Sequence, residues 1–153
     1  MHRSAVVICV LAASVCFITH AGAAGLSSTF SEVKIENLSI GTSYSTTKEA
    51  GLPLNVVNTG DEPIDLKVDI LLPEQSELKE GFEPIPDIGW ITLENDEFKG
   101  VKPKDSAIAD VNISIPDDPK YLGKKYQVFI WSHTIGKRIG VGLKSKLLIT
   151  IKE

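Results

Sequence analysis

Ala107-Ile108-Ala109-Asp110-Val111-Asn112-Ile113-Ser114-Ile115, closed by Pro116, decides the fold class. Ala107, Ala109, Val111, Ile113 and Ile115 fall on every second position, and Ile108, Asp110, Asn112 and Ser114 lie between them. A period of two puts the first set on one face of a strand; a helix would scatter it around the circumference. Ile64, Leu66, Val68, Ile70 and Leu72 repeat the pattern against Asp65, Lys67, Asp69 and Leu71. Asp110 and Lys67 therefore count as outward-facing and replaceable. Leu52, Leu54 and Val56 follow the same alternation, as do Leu147, Ile149 and Ile151. Tyr126 to Trp131 is apolar on both faces except at Gln127, as a central strand requires.

The intervening residues agree. Asn58-Thr59-Gly60-Asp61-Glu62-Pro63 is turn chemistry between two strands. Pro116-Asp117-Asp118-Pro119 ends another, because proline cannot donate to a ladder. Gly136, Gly140 and Gly142 mark a hairpin. Pro73 to Gly89 reads as a long crossover loop with one helical turn at Glu74–Leu78. Val33 and Ile35 are odd whereas Leu38 and Ile40 are even, so a bulge is expected between them, letting one strand serve two sheets. Strands are expected at Val33–Ile40, Leu52–Asn58, Ile64–Leu72, Trp90–Leu93, Phe98–Val101, Ala107–Ile115, Tyr126–Ser132 and Lys144–Ile151. Seven or eight short strands without a convincing helix predict an all-β sandwich of immunoglobulin-like type.

The first residues read as a processing signal. His2 and Arg3 precede an apolar run from Ala5 to Ile18, 14 residues long. That is short of the roughly 20 residues a membrane-spanning helix needs. With Ala21-Gly22-Ala23 as a small-x-small cut site, the layout is a secretory leader over residues 1–23. A flexible segment, 24–31, and one sandwich domain, 32–153, are expected to follow, exported to the periplasm or beyond the cell with no transmembrane anchor after cleavage. Cys9 and Cys16 both fall in the leader, so the exported chain is expected to lack disulfides and thiolate metal sites.

The spacing resembles a group of bacterial extracytoplasmic immunoglobulin-like domains. Leu54 to Ile64 resembles their opening strand and turn. Trp90-Ile91-Thr92-Leu93, Val101-x-Pro103 and Val111-x-Ile113-x-Ile115-Pro116 resemble the middle, and Gly123-x-x-Tyr126, Gly142-Leu143 and Leu147–Ile151 the end. The pattern is similar to the N-terminal domain of WxL-interacting cell-wall proteins and to fibronectin-III-like modules, and partly to the N-terminal domain of pilus chaperones. The resemblance implies that Tyr126 is a tyrosine corner whose hydroxyl bonds upstream backbone. Its motifs are turns and core positions, which specify fold far more than function.

Chemistry is sparse. The net charge of −4 argues against a nucleic-acid partner, which needs a basic surface. His133 is the only histidine after the leader, which disfavours zinc, and no Gly-x-Ser-x-Gly elbow or phosphate loop occurs. Glu94-Asn95-Asp96-Glu97 and Asp117-Asp118 lack the spacing of a calcium loop. No cofactor, no metal and no enzymatic activity are expected. Ala24 to Phe98 carries 4 lysines against 15 acidic residues, and Lys99 to Glu153 carries 11 basic residues against 5 acidic ones. The basic hairpin at Lys137 and Arg138 is a candidate contact for an anionic polymer or an acidic surface. With Tyr126, Val128 and Ile130 inward, Phe129 and Trp131 point outward with Leu148 and Leu71. Those four side chains form either an exposed apolar patch for a protein partner or a surface covered by the Pro73–Gly89 loop through Phe82 and Ile85. The expected function is a non-catalytic binding or structural module of the cell envelope or extracellular space, contacting another protein or a polymer through a sheet face. The alternative is a periplasmic pilus-chaperone-like protein acting by β-strand addition.

Overall fold

The computed structural model describes residues 23–137 and 140–153. Twelve strands follow in order: β1 (Leu26–Ser28), β2 (Glu32–Leu38), β3 (Ser43–Ser45), β4 (Leu54–Asn58), β5 (Ile64–Leu71), β6 (Glu83–Pro84), β7 (Ile91–Leu93), β8 (Glu97–Val101), β9 (Ser106–Ala109), β10 (Val111–Ser114), β11 (Lys125–Ile135) and β12 (Gly142–Ile151). A short helix, α1 (Thr46–Ala50), lies between β3 and β4. The expected leader, Ala23 apart, lies outside the described residues, as does Arg138.

One layer of the sandwich is a sheet in the order β2-β12-β11-β5-β8, with the two-residue β6 added beside β11. The other layer consists of β1-β4-β9 and β3-β10-β7. Only Asp110 separates β9 from β10, so these two sheets share one strand line. The alternating residues meet between the layers. Val33, Leu54, Val68, Val111, Val128 and Ile149 all belong to one buried cluster. This burial is the main favourable term holding a sandwich together.

The expected bulge is present. Asn37 has φ 61°, and the parallel pairing of β2 with β12 slips between Ile149·Ile35 and Ile151·Leu38, which returns Leu38 to the core. The two-sheet role falls one step earlier than expected. Residues 24–31, read as a flexible lead, contain β1, which pairs antiparallel with β4 before the chain crosses at buried Phe30 to β2 in the other layer. The Ala107–Ile115 strand is broken at Asp110, because that carboxylate serves α1. It accepts from Ser45 Oγ, from Thr47 Oγ1 at 2.7 Å and from the Thr47 amide at 3.2 Å. Ser45 Oγ in turn accepts from the Lys48 amide at 3.2 Å and caps the helix. Gly51, at φ 64°, closes the helix in the left-handed conformation.

The expected tyrosine corner is also corrected. Tyr126 packs edge-on to Trp90, with centroids 5.6 Å apart, and to Tyr121 at 6.3 Å. The hydroxyl that holds upstream backbone belongs to Tyr44, which accepts from the Ser39 amide at 2.7 Å.

Candidate functional site

Pairing within β5, β11 and β12 brings Leu71, Phe129, Trp131 and Leu148 onto one outer sheet face, with Phe129 opposite Leu71 and Gln127 opposite Leu148. The four share a face, but Phe129 and Leu148 are not exposed on it. Phe129 is 6% exposed and Leu148 0%. The Pro73–Gly89 segment is strapped across this end of the face by Gln127. The Gln127 Oε1 accepts from the Lys79 amide at 2.8 Å, and its Nε2 donates to the Glu77 carbonyl at 2.9 Å. The Ile85 amide donates to the Gln127 carbonyl at 3.1 Å, extending the β6 pairing. Ile85 enters the main core rather than covering Phe129. The Phe129 ring instead lies 4.8 Å below the Lys144 ammonium, which also pairs with Glu77 at 2.8 Å.

Charges complete the cover. Glu32 meets Lys79 at 2.6 Å and Lys146 at 3.4 Å. The Lys79 hydrogen bond, aided by Lys146, holds the Glu32 carboxyl below its ordinary range against a small opposing effect of burial. Lys144 and the Glu74 amide do the same for Glu77. Trp131 is half-buried and stacks on His133 at 4.1 Å, and His133 Nε2 lies 2.8 Å from Asp69 Oδ2. Lys137 pairs with Glu62 at 3.2 Å. Among the described residues, no three His, Cys, Asp or Glu side chains gather as a metal site.

A different surface draws attention. β8 pairs with β5 only through Ile64, Leu66 and Lys67, and the Val68 amide donates to the Asp96 carbonyl at 2.8 Å. β5 then runs on through Asp69, Ile70 and Leu71, paired among the described residues with β11 alone. By strand alternation, Ile70 turns its N–H and C=O to the same side as Val68, towards the vacated edge. Among the described residues β7 pairs on one side only, with β10, and the Glu94 amide donates to the Asp110 carbonyl. The same alternation turns the N–H and C=O of Leu93 away from β10. The two open edges border a groove of about 540 Å³ lined by Val68, Ile70, Ile88, Ile91, Leu93 and Asp96 among others. Leu72 (52% exposed) follows the β5 edge, and Ile88 (45% exposed) lies in the groove wall.

The edges of β2 and β8 are blunted. β2 carries the Asn37 bulge and the Lys34–Glu36 ion pair. β8 carries Gly100 at φ 60° and Lys99 between Asp65 and Glu97. Bulges and edge charges are how sheets avoid adding a foreign strand. Along Asp69–Leu71 the pairing of β5 shows no register shift, and among the described residues the charges lining the groove are two carboxylates, Asp69 and Asp96, with no lysine in the lining. Sequence reading missed it because an edge is a relation between strands, although the apolar Ile70-Leu71-Leu72 run at the end of β5 was its one visible trace.

No family model matches the chain, and no curated protein matches it. Solved structures do. The seventh PapD-like (ASH) domain of human CEP192 superposes with a TM-score of 0.57 at 9% identity, over 84% of this chain and 85% of that one. The fold is immunoglobulin-like. A candidate carbohydrate-binding protein of Bacteroides ovatus gives 0.56 at 12% identity, over 84% of this chain and 37% of that one. The periplasmic chaperone SfaE gives 0.51 at 12% identity, over 84% of this chain and 58% of its own. These likenesses support an immunoglobulin-like sandwich. They lend no support to the finer WxL-interacting or fibronectin-III-like assignment.

Proposed function

We propose that the chain is an exported, non-catalytic module that binds another protein by adding that protein's strand to the open edge of β5. The observation that carries this reading is the bulge-free edge at Asp69–Leu71, left unpaired by β8 among the described residues and bordering a largely apolar groove, on a molecule whose β2 and β8 edges are guarded. Strand addition supplies affinity through backbone hydrogen bonds and specificity through alternate side-chain pockets. The reading through an exposed Phe129–Leu148 face loses its anchors, since both are buried. The likeness to the SfaE chaperone and to a PapD-like domain is compatible with a protein partner, and the leader-like start of the sequence supports a place in the cell envelope or outside the cell.

A photo-activated cross-linking residue placed at Leu72 or Ile88, in cells exporting the protein, tests the reading. Ile108, 56% exposed on β9, is the matched control. A defined protein adduct from Leu72 and Ile88 but none from Ile108 is expected. Equal adducts from all three positions, or none from the groove, would overturn it. Export is tested by sequencing the N-terminus of the exported fraction, where a start at Ala24 is expected.

A further inference from the structure

We infer that the groove is built for an extended partner segment that pairs with Ile70, alternates apolar with polar residues, and places a lysine or arginine against Asp96. The inference rests on the strand-addition reading and names the chemistry of what is added. Three observations lead there.

The first is the backbone. Ile70 on one wall and Leu93 on the other turn N–H and C=O groups into the same groove. A donor and acceptor pair on a strand edge, set at the spacing of a ladder, matches another extended backbone better than a compact ligand. The second is the lining. Ile70, Ile88, Ile91 and Leu93 are apolar, so every second side chain of an added strand would meet hydrocarbon. Its intervening side chains would face water.

The third is charge. Among the described residues, Asp69 and Asp96 are the only charged residues lining the groove, and neither lysine nor arginine joins them. Asp69 is already engaged by His133 at 2.8 Å and by Lys67 at 3.8 Å. Asp96, whose carbonyl ends the β5–β8 pairing, has no ion-pair partner among the described residues, and Glu94 stands two positions before it. This end of the groove is thus acidic and uncompensated. A cationic side chain is its complement, and an acidic one would be repelled.

The experiment uses the exported chain and two fluorescein-labelled peptides of about ten residues, a length typical of strands. Both alternate valine with threonine; one ends in lysine and the other in glutamate. The lysine peptide is expected to bind about fivefold more tightly, the scale of a partly exposed charge pair. Asp96→Lys should reverse that order, a change that mere loss of folding would not produce. Hydrogen exchange on the unmutated protein supplies a second readout, in which the bound lysine peptide should slow exchange at the Ile70 and Leu93 amides. Equal affinity for the two peptides, or binding without protection at Ile70, would overturn the inference. If cross-links from Leu72 persist while no alternating peptide binds, this inference falls alone. If both are lost, the strand-addition reading falls with it.

Discussion

Asn58 shows how much a single buried amide can organise. Its Nδ2 donates to the Glu62 carbonyl at 2.8 Å and to the Val101 carbonyl at 2.9 Å, while its Oδ1 accepts from the Gly60 amide at 2.9 Å. One side chain thus shapes the turn after β4 and ties it to the end of β8. Asn58→Ala would break three bonds and strand a buried carbonyl, at a cost of about 3 kcal/mol. A urea melt should read that loss as a lower midpoint with an unchanged slope. Asp110 is the counter-example to its own position in the sequence. It sits on the outward side of an alternating strand, yet its carboxylate holds Ser45 and Thr47 at the start of α1. Asp110→Ala should cost about 1–2 kcal/mol rather than nothing. Partial burial works to raise the Asp110 pKa, but the hydrogen bonds from Ser45, Thr47 and the Val111 amide outweigh it and leave the carboxyl below its ordinary range. The folded group therefore favours the fold above the unfolded value of about 3.9, and that contribution drains away as pH falls through the lower folded value. Acid titration of stability should be flatter in Asp110→Asn than in the parent.

At the scale of elements, the strap over the outer sheet face depends on Gln127. Gln127→Ala should free the Lys79 amide, so its hydrogen exchange should rise by at least an order of magnitude while the amides of Leu147 and Ile149 stay protected. Unchanged exchange at Lys79 would mean that the ion pairs of Glu32 and Glu77 hold the strap unaided. Strand positions were legible because burial imposes a period of two, and all eight expected strands are present within a few residues of their expected ends. The bulge was legible too, since Val33, Ile35 and Leu38 break parity. What stayed hidden was contextual. β1 has three residues and β6 two, too few for a period. The five-residue α1 shows only its caps, Ser45 and Gly51. Gln127, read as the one polar interruption of a central strand, gave no sign that a distant loop would use both ends of its amide. The candidate groove depends on where β8 stops pairing, which no residue of β5 encodes alone.

For the molecule as a whole, the face assignment makes a sharp contrast. Val111, Val68 and Ile149 come from different strands of both layers and are all nearly inaccessible. An aspartate at any of them places an unpaired charge in hydrocarbon, costing several kcal/mol against a typical total of roughly 5–15 kcal/mol. Each should leave the chain unfolded at room temperature by circular dichroism. Lys67→Ala removes an exposed cation whose ion pair with Asp69 is 3.8 Å long, and should stay within about 0.5 kcal/mol of the parent.

The place of β12 in its sheet has a consequence for the life of the chain before it folds. β12 lies between β2 and β11, and Val33 waits for Leu147. During synthesis β2 has no neighbour in this sheet until β12 has left the ribosome. Such distant pairing slows folding. Nascent chains halted before Gly142 should be cleaved readily by added protease, and resistance should appear only once Ile151 has cleared the exit tunnel. The strand that completes the sheet thus acts as a timer, leaving the polypeptide open to attack until β12 arrives.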